Sequence, residues 1–417
     1  MKALVFLADV MADVMADPDP WEPPLGASER TQRLATTPMA LQDVDDPPVR
    51  GDDWAVLDTR MCGICGSDAK QVFMDDAEES GDNAMTAFIS FPQVLGHEVV
   101  ATVSEAGPAA SVNPGQRVVL NPWLSCGPRG FADPCPACAA GDYNLCHRFC
   151  AGALTPGIHT GNSSDATGGF AERLPAHGSM CIPVPDDIPD EVAVLADPFS
   201  VSLHAVTRHP PPPGANVVVY GAGALGTTTV AVLRALHPAV RIAVVAAHPA
   251  QAALAKELGA DMVMDPWPEA ELVEALASWS GGELHRPWEG LPVAMPGGIA
   301  TIYDTVGSAT TLEVGVRVLA ARGELVVTGV AAPERFEWTP LYFKEIRLAG
   351  SNAFGVEEVE GRRQHAKAHY FDLVRAGRDD VSAMLTHTFP LEQWRDAFVT
   401  LGEQHETGAI KVAFDLR

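Results

Sequence analysis

The residues that could do chemistry in this chain are clustered cysteines, which suit a metal, and a glycine-rich turn, which suits a phosphate. Cys126, Cys135, Cys138, Cys146 and Cys150 fall within 25 residues, and Cys62 and Cys65 form a second pair. With no secretion signal read ahead of them, such clustering favours metal ligation over disulfides. The turn is Gly221-Ala-Gly223-Ala224-Leu225-Gly226, set between the Val-rich run 217–220 and an Ala/Leu-rich helical pattern. A GxGxxG alone is weak, but here both required neighbours are present. Gly221 permits the tight turn, Gly223 lets the backbone approach a pyrophosphate, and Gly226 lets helix and strand pack closely. Ala224 and Leu225 open the helix, whose first N–H groups are free to bind phosphate. The bland alternative is a glycine turn with no ligand. Val330, closing the strand-like run 324–330, joins the candidate dinucleotide contacts.

After the second strand of this pattern an acid would accept the ribose hydroxyls, but the chain reads Ala246-Ala247-His248. His248, with Gln251 nearby, could face a 2′-phosphate instead, or be an ordinary loop histidine. The missing acid tilts the expectation to NADP over NAD.

Cys65 stands in Gly63-Ile-Cys65-Gly-Ser67-Asp68 and His97 in Gly96-His97-Glu98. With the cysteine lobe, Gly168-Gly-Phe-Ala-Glu172, the stretch from Asp197-Pro-Phe to His204-Ala, the glycine turn and Thr407-Gly-Ala-Ile-Lys411, they cover nearly the whole chain. In these motifs the chain resembles the zinc-containing medium-chain dehydrogenases, the family of alcohol, sorbitol and threonine dehydrogenases. The resemblance implies a GroES-like β-barrel catalytic domain beside a doubly wound Rossmann domain, a small alcohol or ketone as substrate, and a dimeric or tetrameric homo-oligomer. It implies a catalytic zinc on Cys65 and His97, with Asp197 as third ligand and Glu98 exchanging with water as a fourth. Thiolate, imidazole and carboxylate leave zinc one open position, the arrangement of a catalytic site. An alcohol there loses its proton near neutral pH and gives its hydride to the nicotinamide. In this reading Ser67 passes that proton outward and Asp68 holds the His97 imidazole. Asp197 could instead merely cap a helix, and Glu98 could be a buried ion-pair partner. Many relatives place a histidine of the proton relay where Lys70 stands here.

Cys135-x2-Cys138-x7-Cys146 matches the last three ligands of the family's structural zinc lobe. Ala132 occupies the usual first position, and Cys126, beyond the insertion Gly127–Pro134, is the expected substitute. A zinc-free, degenerate lobe is the alternative. Cys62 is expected as a core residue, and Cys150 and Cys181 as buried thiols.

These groups need scaffolding. Lys2–Ala8 reads as a first strand, and short β-rich runs between Trp54 and Val119 suggest a small barrel. The lobe 121–150 has no regular pattern, and 168–172 and 180–185 read as further barrel strands. After His209-Pro-Pro-Pro-Pro213, strand-like 217–220, 240–245, 261–264, 299–303 and 324–330 alternate with helical 249–258, 268–279 and 309–321, as in a parallel, doubly wound sheet. The expected division is 1–205 with 351–417 as the catalytic domain, carrying the lobe, and 206–350 as the dinucleotide domain. Residues 9–50 read as an insertion, with Ala-Asp-Val-Met repeated at 8–11 and 12–15. That insertion could be a lid or, more simply, a lengthened surface loop. The loops 71–93 and 151–168, with 351–361, are expected to line the substrate pocket, and 155–165 with His159 could form part of a cleft.

Length supports two cores, at 417 residues. A formal charge of −26, from 54 acidic and 28 basic residues, repels phosphate backbones and argues against nucleic acid. No apolar run is long enough to span a membrane, and cytoplasm is the expected location. Two rival readings remain at this level. A zinc-free quinone reductase would not need Cys65 and His97. A non-catalytic dinucleotide-binding protein would need neither those nor Ser67 and Asp197.

Overall fold

The computed structural model describes residues 1–7, 21–75, 84–331 and 335–417. The 8–15 repeat and part of the 71–93 loop therefore lie outside the described residues. The chain forms two compact units, Met1–Asp197 with Leu385–Arg417, and Pro198–Met384.

The first unit is built on a seven-stranded sheet. Its path runs Leu385–Phe389, Lys411–Asp415, Trp54–Gly63, Glu98–Ala106, Arg117–Leu120 and Cys181–Pro183, with Arg173–His177 also pairing on Trp54–Gly63. All pairings but the first are antiparallel. Trp54–Gly63 is long and slips register twice against Glu98–Ala106. Bulges of this kind bend a strand and re-aim the residues at its end. A smaller sheet sets Lys2–Phe6, the expected first strand, between Met39–Asp43 and Gln93–Val94. The core between them is closed by aromatics, with the Phe170 ring edge-on to Phe414 at 4.9 Å.

The segment 168–172 departs from its expected strand. It pairs with the first strand only at an isolated bridge, Ala3 with Ala171, where Glu172 N donates to Lys2 O, and the N–H groups of 168–170 instead donate to the chain ahead of His97. Gly168 N donates to Val94 O at 2.7 Å, Gly169 N to Gly96 O at 2.7 Å and Phe170 N to Leu95 O at 3.0 Å. A side chain at Gly168 would sit 2.3 Å from Leu95 O. The glycines are there for backbone-to-backbone contact, so the segment touches the Lys2–Phe6 strand at one bridge and does not extend into a strand of its own.

In the second unit six strands form one all-parallel sheet in the order Met262–Met264, Arg241–Val245, Asn216–Tyr220, Ile299–Asp304, Leu319–Val327, Arg347–Gly350. Numbered along the chain this is 3-2-1-4-5-6, the doubly wound order with its switch point beside Asn216–Tyr220. Val217, Val218 and Val219 are fully buried, which is why that strand reads as an unbroken apolar run. Residues 198–205 and 351–384 group with this unit, whereas the sequence division put them with the first. A buried hydrogen bond from His204 to Glu357, 2.6 Å, and the Phe199–Tyr370 ring contact tie those two stretches together.

Candidate metal centres and dinucleotide turn

Cys65 is the N-cap of the helix Gly66–Val72, directly after the bent strand Trp54–Gly63. His97 ends the turn before Glu98–Ala106, where Gly96 has φ +91°. A Cβ on Gly96 would lie 2.4 Å from the Phe170 ring and 2.8 Å from Cys62 Sγ, so glycine is required there for both conformation and space. Asp68 joins the two loops. Its carboxylate accepts from Cys65 N at 3.0 Å and Gly96 N at 3.4 Å. Its oxygen stands 3.7 Å from His97 Nδ1, beyond hydrogen-bond range, so Asp68 orients the imidazole through the backbone that carries it.

Donor atoms of Cys65, His97 and Glu98 lie within 4.8 Å of one another. Asp197, the carboxylate expected as third ligand, is buried but stands outside that group. Burial opposes charge on His97, yet Asp68, the Cys65 thiol and Asp197 outweigh it and push the ring's pKa up to about 10. A buried field this negative is what a divalent cation would answer, and sulfur, imidazole and carboxylate are donors zinc accepts. The bland reading of Glu98 also holds, since its carboxylate is paired with buried Lys411. Lys411 Nζ further donates to Ile64 O at 2.9 Å, tying the last strand to the residue before Cys65. Sequence reading gives Lys411 no role, because its partners lie at the other end of the chain. Ser67 is exposed on the first helical turn, and Cys62 is fully buried. The His159 ring lies 4.5 Å from that of His97.

The four cysteines of the lobe also converge. Cys126, Cys135, Cys138 and Cys146 are buried, and their sulfurs lie within 4.8 Å of one another. Cys126 and Cys146 are 3.8 Å apart, too far for a disulfide. Four sulfurs about 2.3 Å from one zinc would be spaced by roughly 3.8 Å in a tetrahedron. Burial raises the Cys135, Cys138 and Cys146 thiols, and only at Cys135 do the N–H groups of Cys138 and His147 outweigh it and lower the pKa. A thiolate is therefore favoured at Cys135, and the Cys138 and Cys146 sulfurs would need a cation's charge to ionise. The irregular first spacing is absorbed by a turn in which Phe131 N donates to Cys126 O at 3.0 Å. Cys150, expected as a buried thiol, is exposed, and Cys181 is half-buried.

In the second unit Gly221 has φ +91°, and a Cβ on Gly226 would lie 2.0 Å from Gly221 O. At Gly223, the N-cap of the helix Ala224–Leu236, a Cβ would meet nothing nearer than Gln251 at 4.0 Å. Packing therefore explains Gly226, while Gly223 leaves open space at a helix N-terminus, as an approaching phosphate requires. Asp304 completes the switch point by accepting from Val306 N, Gly307 N and Thr311 Oγ1. Sequence reading missed it. Ala246 is buried, His248 stands at the N-cap position of Pro249–Glu257, and Val330 is exposed beyond its strand. Gly226→Ala should weaken dinucleotide binding at least tenfold, about 1.4 kcal/mol, with zinc content unchanged. A fluorescence titration with reduced NADP checks this, and unaltered affinity would remove the turn from the site.

Among the described residues no helix is long and apolar enough to cross a membrane. Two family models match the chain, the alcohol dehydrogenase GroES-like domain over residues 51–186 and the zinc-binding dehydrogenase over 224–367. The chain is similar to (R,R)-butanediol dehydrogenase of Saccharomyces cerevisiae, 29% identical over 334 residues, covering 76% of this chain and 81% of that one. It is also similar to sorbitol dehydrogenase of Arabidopsis thaliana, 28% identical with 92% of each chain covered. Among solved structures, a zinc-binding dehydrogenase from Sinorhizobium meliloti bound to NADP is 26% identical with a TM-score of 0.67, over 90% of this chain and 96% of that one.

Proposed function

The chain belongs to the zinc-type medium-chain dehydrogenase/reductase family, and from that premise we propose that it is a zinc-dependent NAD(P) alcohol dehydrogenase acting on secondary alcohols, diols and polyols among them. The observation that carries the reading is the convergence of Cys65, His97 and Glu98, with buried Asp197 adding its charge to the field on His97 and Glu98. Zinc there would supply Lewis acidity toward the alcohol oxygen, and the nicotinamide would take the hydride.

The chain's own residues prepare those steps. Asp68 fixes the backbones of Cys65 and Gly96, so thiol and imidazole are held before substrate arrives. Lys411 holds Glu98 at the centre. Ser67 Oγ, exposed beside Cys65, takes the substrate's hydroxyl proton out to water. The Gly221–Gly226 turn binds the pyrophosphate. Cys126, Cys135, Cys138 and Cys146 would hold a second, structural zinc in the cysteine lobe.

NADP is the proposed preference, because no carboxylate stands at Ala246 to repel a 2′-phosphate. The test is a panel of secondary alcohols, diols, polyols and amino alcohols with each dinucleotide, read by the absorbance of the reduced nicotinamide. NADP should serve at least as well as NAD, and His248→Ala should weaken NADP selectively. A clear preference for NAD would reverse the cofactor proposal, and no turnover across the panel would reverse the functional one.

A further inference from the structure

Arg129 lies in the Gly127–Pro134 insertion, three residues after Cys126, and is 1% exposed. No carboxylate is within hydrogen-bond reach of it among the described residues. Its guanidinium donates instead to five backbone carbonyls. Nε reaches Leu124 O at 2.9 Å, Nη1 reaches Ala151 O and Leu154 O at 3.0 Å each, and Nη2 reaches Thr155 O at 3.2 Å and Gly157 O at 2.7 Å. Burying a cation without a carboxylate in hydrogen-bond contact is costly, and five donors in one rigid fork fix geometry as no apolar side chain can.

The geometry that the fork fixes leads to the candidate active site. Four of the carbonyls belong to the 151–157 turn, and the fifth to the segment against which the turn's exit is laid. Leu124 N donates to Ile158 O at 2.9 Å and Thr160 N to Pro122 O at 2.8 Å, with Trp123 bridged to His159. His159 then donates Nδ1–H to Thr160 O at 2.8 Å and lays its ring 4.5 Å from that of His97. We propose that Arg129 is a positioning residue for the reaction: by clamping the 151–157 turn to Leu124, it sets the His159 ring against His97. Lysine offers three donors, so it leaves at least two of the five carbonyls without their partner.

This inference rests on the dehydrogenase reading, and its test separates the two. Arg129→Lys, His159→Ala and the double variant are compared for kcat and KM with the best alcohol, KM for the dinucleotide, zinc content and amide exchange. Each single variant should lower kcat/KM for the alcohol about tenfold, with the dinucleotide KM and the lobe's zinc unchanged. The double variant should lose no more than the worse single, because both act on one ring contact. Exchange at the Leu124 and Thr160 amides should speed up in Arg129→Lys, a readout that needs no turnover. Losses that multiply in the double variant, or unchanged kcat/KM and exchange in Arg129→Lys, would overturn the proposal. If Arg129→Lys does not fold, His159→Ala alone decides, since undiminished turnover there would leave Arg129 no ring whose placement matters to the reaction. A wild-type protein inactive on every alcohol defeats the dehydrogenase reading, while the exchange comparison still tests the clamp.

Discussion

Replacing Cys65 with Ser or His97 with Ala should remove the proposed catalytic zinc and abolish alcohol oxidation, while NADP binding should survive. The loss is complete because, among the described residues, these are two of the three donors that converge at the centre. Binding survives because the Gly221–Gly226 turn belongs to the other compact unit. The two carboxylates should behave differently from each other. Asp197→Ala should reduce zinc without eliminating it, since Glu98 already stands with Cys65 and His97. Glu98→Gln should cost more than the metal alone, because it leaves Lys411 buried without its counter-charge. Ser67→Ala should keep the zinc and slow turnover by about 10²–10⁴-fold, the usual contribution of a positioned acid–base group. Metal analysis with steady-state kinetics checks all of these. Full zinc and full activity in Cys65→Ser would remove the site.

Cys138→Ser should lower thermal stability sharply and reduce zinc from about two ions per chain to about one, with the catalytic ion retained. The lobe 121–150 contains only the short helix Pro136–Ala140 and one 3₁₀ turn, and its buried cluster is the four cysteines with a few aromatic neighbours. A segment with so little core depends on its metal, much as a small zinc domain does. Arg129 and the turn it clamps adjoin Cys126, so the loss should also loosen 151–157. Unchanged melting temperature and metal content in Cys138→Ser would refute the structural site.

Much of this was legible in the sequence because the relevant signals are local. Cys65 and His97 each sit in a compact motif, and the glycine turn has its strand and helix on either side. Cys126 could be singled out because it is the one remaining cysteine upstream in the lobe. What escaped was non-local or mixed in period. Lys411 reaches Glu98 from the far end of the chain, and Arg129 acts through backbone carbonyls that carry no side-chain signature. The 168–172 stretch imitates a strand, but its glycines serve the turn ahead of His97. Between two plausible carboxylates, sequence favoured Asp197 as the ligand, while the geometry groups Glu98 with Cys65 and His97. The bond between His204 and Glu357 joins two stretches that the sequence division already placed in one domain, although no sequence period records the pair.

The most direct test of the central claim is removal and return of the metal. Purified protein is stripped with a chelator, its alcohol oxidation is followed by the absorbance of reduced NADP, and zinc is then added back. Stripped protein should still bind NADP, oxidise no alcohol, and recover activity in proportion to zinc restored at Cys65, His97 and Glu98, with none recovered in the Cys65→Ser variant. Stripped protein that oxidises the same alcohol as fast as the loaded protein would contradict it.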